Sequence, residues 1–262
     1  MRKIKRTKSF ELTLDIKSDD FIRPPREQQR SWILNRALKE FQDDLEKLDE
    51  LAKEFVPGGE PADLGDRTNT ELADEQIMED WQISVMREMA KDVTAGGGDV
   101  LEIGFGRGVA AEFVQSHSIR SHTVVECNES VIARFEDWQK QFADRDIRLI
   151  AGKWQDVTDQ FAKYDGILFH TYPLNEQEFA EYVSRSSTFA EHFFDTAAAA
   201  LKPGGRFTYL TMEIDSLSRE HQRALLRRFS SFSVRRLDDL EIPADTRDAQ
   251  WAQSTVLVCA RK

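Results

Sequence analysis

Val100-Leu101-Glu102-Ile103-Gly104-Phe105-Gly106-Arg107-Gly108 restricts the fold of this chain more than any other segment. An apolar run of strand length enters a turn with three alternating glycines, and Val109-Ala110-Ala111 then favours a helix. Such a turn belongs to an α/β sheet. The glycines allow a ligand to approach the backbone, and the following helix N-terminus presents unpaired N–H groups. A dinucleotide fingerprint would read G-x-G-x-x-G and needs no acid on the strand, whereas the pattern here is E-x-G-x-G-x-G. An acid two places ahead of the first glycine suits S-adenosylmethionine, with Glu102 accepting from the amino end of its amino-acid moiety. About 20 residues on, His122-Thr123-Val124-Val125-Glu126 reads as a second strand, and its terminal acid stands where such sheets hold a ribose diol.

Charge and cysteine usage remove several alternatives. A net charge of −11 is unfavourable for a nucleic-acid surface, because phosphate repulsion would have no offset. Cys127 and Cys259 can neither staple a chain of 262 residues nor form a zinc spacing, so reduced thiols are expected. No metal is expected either, since His117, His122, His192 and His221 show no ligand spacing. No apolar stretch approaches the roughly 20 residues of a membrane span, and Met1-Arg2-Lys3-Ile4-Lys5-Arg6 is not followed by the apolar core of a signal peptide. A soluble, cytoplasmic protein is expected.

The chain reads as an N-terminal extension, residues 1–60, followed by a catalytic domain, residues 68–262. The extension begins with a basic arm of about eight residues. Phe10 to Ile16 then alternates like an edge strand, and Pro24-Pro25 precedes a long helix. Between Arg26 and Phe55 there is neither proline nor glycine, and Leu34, Leu38, Phe41, Leu45, Leu48, Ala52 and Phe55 recur at steps of four and three. That stripe needs a partner: a second copy in a homodimer, the catalytic domain beneath it as a lid, or a carrier or peptide. Pro57-Gly58-Gly59-Glu60-Pro61 ends it. Beyond Thr70, helices alternate with short apolar strands as in a doubly wound sheet, with helices expected near 75–93, 130–142, 188–201 and 219–229. Residues 231–262 read as two final strands.

At this point the sequence resembles a known family. Ile77-Met78-Glu79-Asp80-Trp81, VLEIGFG at 100–106, VECN at 125–128, Trp154 with Asp156-Val157, Asp165-Gly166-Ile167-Leu168, TYPL at 171–174, Leu201 to Gly205 and Pro243-Ala244-Asp245 are similar to guanidinoacetate N-methyltransferase and its arginine-methylating relatives. The likeness runs from about residue 68 to the C-terminus. It implies a class I methyltransferase: an α/β Rossmann-like sheet of seven strands whose last hairpin is antiparallel, here with an N-terminal helical extension. It also implies S-adenosylmethionine as cofactor and S-adenosylhomocysteine as product. Glu102 and Gly104, with Gly106 in the same turn, would line the methionine end, Glu126 and the adjoining Cys127 the ribose, Trp154 and Gln155 the adenine, and Met86 the sulfonium. Gln155 replaces an acid, but its amide oxygen can still accept from the adenine amino group.

On the acceptor side the sequence departs from the family. The resemblance implies a glutamate just after the tryptophan of the first helix and an aspartate just before TYPL, both gripping a guanidinium; Gln82 and His170 stand there. Two carboxylates are strong, often bidentate partners of a guanidinium, so their loss argues against guanidinoacetate as the substrate. The family's substrate tyrosine is also missing, Asp248, Ala249 and Gln250 occupying that region. His170 suits a nucleophile that sheds one proton near neutral pH, as a general base or as a residue that merely shapes the pocket. Tyr172 can donate to a substrate or serve the core, and Gln82 can orient the substrate or only pack. N-methylation of a small molecule or short peptide is the leading expectation. O-methylation of a carboxylate or hydroxyl, or a non-catalytic cofactor-binding protein, are the alternatives.

Overall fold

The computed structural model describes residues 67–262 except 184–185, 212, 214–215, 238–239, 241, 245, 247–251 and 253–255, and the backbone alone of 2–6, 10–14, 176 and 180. The heptad stretch, with its dimer, lid and docking alternatives, lies outside the described residues, as do Asp245 and Asp248 to Gln250. The chain divides into two units, Met1–Pro61 and Ala62–Lys262. In the first, β1 (Arg2–Arg6) pairs antiparallel with β2 (Phe10–Leu14), Arg2 opposite Leu14 and Arg6 opposite Phe10. The basic stretch is therefore a strand rather than a free arm, its backbone satisfied by the alternating segment that follows.

The second unit carries β3 (Asp99–Ile103), β4 (Ser121–Glu126), β5 (Ile147–Ala151), β6 (Tyr164–Phe169), β7 (Leu201–Thr211), β8 (Ser231–Arg236) and β9 (Val256–Arg261). They form one seven-stranded sheet in the order β5-β4-β3-β6-β7-β9-β8. β3 to β7 are parallel, while β9 runs antiparallel to both β7 and β8, which is the expected closing hairpin. Helices α1 (Asp74–Ile77), α2 (Gln82–Thr94), α3 (Val109–Gln115), α4 (Glu129–Gln139), α5 (Phe194–Ala200) and α6 (Arg219–Leu226) accompany it.

Strand periodicity sorts the core into two layers. Leu101 and Ile103 of β3, Ile167 and Phe169 of β6, Phe207 and Tyr209 of β7 and Val258 and Ala260 of β9 share one face with α5 and α6. The alternating positions Val100, Leu168 and Leu257 join α2, whose Val85, Met86, Met89, Ala90 and Val93 are fully buried. On the first face Phe169 stacks on Phe193 at 4.9 Å and Phe207 on Phe229 at 5.8 Å, so each ring buries a large apolar area against another ring. β8 is the exposed edge strand and ends in Arg235-Arg236, charges that discourage pairing with another chain.

The helix expected near 75–93 is two helices. Met78 is extended (φ −160°, ψ 149°), because it and Trp81 are drawn into the core between α1 and α2. The helix expected at 188–201 begins as a 3₁₀ segment, Phe189–Phe193, and only Phe194–Ala200 is α-helical.

The last turn of α2 sits directly on β6. A Cβ on Gly166 would lie 2.2 Å from the Val93 carbonyl oxygen and 2.7 Å from its Cβ. Gly166→Ala should therefore destabilise the fold by about 1–3 kcal/mol through overpacking, read as a lowered urea midpoint at unchanged slope. An unchanged midpoint would mean that α2 is not held at this distance.

Candidate functional site

The carboxyl ends of β3, β4, β5 and β6 converge where the chain switches direction, β4 lying on one side of β3 and β6 on the other. Gly104 leaves β3 at φ +89°, and a Cβ there would fall 2.5 Å from the His170 carbonyl oxygen and 3.1 Å from Thr171 Cβ. Only glycine lets the two loops meet. His170 N–H donates to the Ile103 carbonyl (3.1 Å) and Gly104 N–H to that of Val125 (2.9 Å), so the turn, β4 and the loop after β6 are tied together.

Glu126 is the hub of this end of the sheet. One carboxylate oxygen accepts from Phe105 N (3.0 Å) and Gly106 N (3.4 Å), and the other from Cys127 N (2.7 Å) and Asn128 N (2.9 Å). Asn128 in turn caps α4, its side-chain oxygen accepting from Ser130 N (2.9 Å) and Val131 N (3.1 Å), while its amide donates to the carbonyls of Arg67 and Thr70. Arg67 N–H donates to the Leu174 carbonyl (3.0 Å), so residues 67–70 bridge the start of α4 and the loop after β6. Arg67 also lines the same opening; its guanidinium donates to the Gln76 carbonyl, and burial lowers its pKa.

Three cavities open here. The first, about 90 Å³, is walled by Met86, Gly104, Gly106, Glu126, Cys127, His170 and Tyr172. The second, about 20 Å³, carries Glu126 and Cys127 onward to Trp154, Gln155 and Phe189. The third, about 60 Å³, lies beyond His170, Thr171 and Tyr172 and is otherwise bounded by Phe169, Phe179, Val183, Thr188, Phe189 and Leu210. Trp154 is held edge-on against Phe193 at 5.0 Å, and the Gln155 side-chain oxygen is buried without a hydrogen-bond partner among the described residues.

Nine of the eleven site residues expected from sequence thus meet on these walls: His170, Tyr172, Met86, Gly104, Gly106, Glu126, Cys127, Trp154 and Gln155. Glu102 and Gln82 do not. Gln82 opens α2, is 6% exposed, and its side-chain oxygen lacks a hydrogen-bond partner among the described residues. Glu102 falls on the α2 face of β3, fully buried, its carboxylate 2.9 Å from His122 Nε2 but outside hydrogen-bonding geometry. His122 Nδ1 lies 3.0 Å from the Gln115 amide nitrogen, which can donate to it. Burial raises the Glu102 carboxyl above the ordinary glutamate range.

One expectation about protonation changes. His170 does not titrate near neutrality, because burial pushes its imidazole down to about 4. Asp165 lies at the amino end of β6, the opposite end of the strand from His170, and is engaged with Lys202 Nζ (2.6 Å) and Asp99 N (2.8 Å). The Cys127 thiol is pushed up to about 12 by burial and the Glu126 charge, so it stays protonated beside the cleft. Arg67, Thr171, Leu174, Thr188 and Phe189 line the site without having been singled out. Thr171 and Leu174 fall within TYPL, but no motif marks Thr188 or Arg67.

With this geometry the comparisons become specific. The family model for guanidinoacetate N-methyltransferase matches residues 61–240, more than half of the chain. The chain belongs to that family of S-adenosylmethionine-dependent methyltransferases. The match starts a few residues before the expected position 68 and stops ahead of β9. A protein arginine N-methyltransferase 2 from Kluyveromyces lactis is 24% identical over 144 residues, 51% of this chain and 32% of that protein. One from Aspergillus fumigatus is 28% identical over 127 residues, 45% of this chain and 29% of that protein. The chain therefore spans about a third of the length of these relatives. Precorrin-6y C5,15-methyltransferase from Geobacter metallireducens shares the fold, with a TM-score of 0.50 and 14% identity over 68% of this chain and 88% of that one. Among the described residues no helix is long and apolar enough to cross a membrane.

The buried Glu102 offers a test of its setting. A carboxyl whose folded-state pKa is raised costs stability once pH passes the unfolded value near 4.5, because the unfolded chain then releases a proton that the native core retains. Glu102→Gln keeps the shape and removes the ionisable group. It should raise the melting temperature at pH 7–8 and lose that advantage near pH 4; a variant less stable at pH 8 than the parent would mean that the charge is well compensated.

Proposed function

We propose that this family member transfers the methyl group of S-adenosylmethionine to a nitrogen on a protein or peptide acceptor, and that guanidinoacetate itself is not its substrate. One observation carries the reading: the wall between the first and third cavities holds His170 held neutral by burial, where a guanidinium grip calls for a carboxylate. The relatives named as protein arginine N-methyltransferases support a polypeptide acceptor.

The residues present fit the cofactor. The unpartnered Gln155 oxygen beside Trp154 can accept from the adenine amino group, Glu126 has the charge to take a ribose diol, and the glycine turn with Met86 leaves room for the methionine end. When bound, S-adenosylmethionine supplies a methyl group on sulfonium, which a nucleophile displaces directly. The protein's task is then alignment in a water-poor site. A pKa of about 4 makes His170 a weak base at neutral pH; its unprotonated nitrogen can accept a hydrogen bond from the acceptor N–H and orient the lone pair.

Glu126→Ala should weaken S-adenosylhomocysteine binding by about 1–3 kcal/mol, the worth of hydrogen bonds to a charged acceptor, while Glu126→Gln should lose less. Calorimetry finding both variants at parental affinity would remove Glu126 from the ribose site.

His170→Asn should leave cofactor affinity in place and lower kcat by about 10–10²-fold, as lost alignment does. Because the folded pKa is lowered, the neutral form persists from high pH down to about 4, and His170 should add no inflection between pH 6 and 8. A limb near pH 6.5 that disappears in the variant would instead make His170 a titrating general base.

A further inference from the structure

The third cavity has a composition that selects its occupant. Its walls are aromatic and aliphatic, with Phe169, Phe179, Val183, Phe189 and Leu210, and no charged side chain of either sign lines it among the described residues. Its polar side chains are His170, Thr171, Tyr172 and Thr188. Thr188 is 2% exposed, and its hydroxyl has no hydrogen-bond partner among the described residues. That is unusual for its position. Thr188 stands at the N-cap of the 3₁₀ segment, where a threonine hydroxyl ordinarily accepts from the next turn, yet it makes no cap bond here. A buried hydroxyl left unmatched is costly unless something else completes it, and Thr188 is one of the residues that line the cavity. One wall is the π-helical turn Phe179–Val183, a geometry that recurs at functional sites.

We infer that this cavity is the acceptor subsite of the methyl transfer proposed above, on which the inference rests, and that it takes a neutral imidazole ring, a histidine side chain of a polypeptide, hydrogen-bonded by Thr188. The chemistry narrows the choice. A guanidinium, an ammonium or a carboxylate would each be buried without an opposite charge. A phenol is neutral but must lose its proton to become a strong nucleophile, and His170 is too weak a base to take it. A neutral imidazole keeps one ring nitrogen with a free lone pair at pH 7 and above while its other N–H can donate to a hydroxyl. Its flat apolar faces also match the Phe169 and Phe189 rings.

The step balances without a further reactant. The ring lone pair forms the N–CH₃ bond as the S–CH₃ bond breaks, the positive charge passes from sulfur to the ring, and the remaining ring N–H releases its proton to solvent. His170, on the wall shared with the first cavity, stands at the boundary that the methyl group must cross.

Two measurements on the full chain test this. In the first, 4-methylimidazole and ethylguanidinium are titrated at pH 8.5 into protein saturated with S-adenosylhomocysteine. 4-Methylimidazole should bind and ethylguanidinium should not; Thr188→Val should weaken 4-methylimidazole binding about 3–10-fold, the loss of one neutral hydrogen bond, and Thr188→Ser should restore it. Unchanged binding to Thr188→Val, or tighter binding of ethylguanidinium, overturns the subsite. In the second, peptides with a single histidine, arginine or lysine are incubated with S-adenosylmethionine and the methyl group located by mass spectrometry. Methylation of the histidine ring alone is expected. Modification of arginine or lysine with histidine untouched overturns the histidine assignment and leaves N-methyl transfer standing. Transfer to none of the three overturns N-methyl transfer to these side chains, and the fragment titration then decides what the cavity binds.

Discussion

The Glu126 carboxylate holds the end of the sheet together. Four backbone amides point at it, two from the glycine turn after β3 and two from the turn after β4, so the ends of two adjacent strands share one charge. Hydrogen bonds to an ionised acceptor are among the stronger ones available, and these lie in a largely buried setting where water competes poorly. Asn128 follows in the same turn and extends the tie to α4 and to residues 67–70. The cleft is thus shaped by backbone geometry before any side chain reaches into it. The Glu126 carboxylate is fixed in orientation by these four amides.

Charge is distributed unequally along the strands. At their amino ends, Asp99 and Asp165 share Lys202 (2.7 and 2.6 Å), and Arg120 adds a further pair to Asp99, which is held well below the usual carboxylate range by those partners. These partly exposed pairs contribute little stability each, and their effect is to pin strand ends away from the site. At the carboxyl ends beyond His170 the walls carry no charge among the described residues. The same sheet therefore presents a partly exposed ionic edge at one end and, at the other, a cavity with no charged side chain among the described residues.

His170 illustrates how far a motif can be read. Its place directly before TYPL marks it as a candidate site residue, and it lines two of the cavities at the carboxyl ends of the strands. Its protonation follows from packing: Gly104 brings the turn against the His170 carbonyl, aromatic residues close the far side, and desolvation disfavours the imidazolium. Glu102, expected beside it, is buried and lines none of the three cavities. Its position in the motif is right for a ligand contact, yet strand parity turns it to the α2 face beside His122.

The glycine spacing, the acid ending β4 and the alternation of helix and strand determined the fold class, the seven strands and most of the cofactor wall, because those signals are local and each element's pattern is contained in its own residues. Tertiary structure alone decided which side chains share a cavity and which are neutral there. Thr188 carries no motif and lies far along the chain from Gly104, and only the closing of the loop after β6 against the segment before α5 brings it to the same cavity as His170. The break between α1 and α2 was likewise invisible locally, since Met78 leaves helical geometry where it and Trp81 fill a core that other elements create. Burial is a property of the assembled chain, and in this protein it sets the protonation state at the centre of the site.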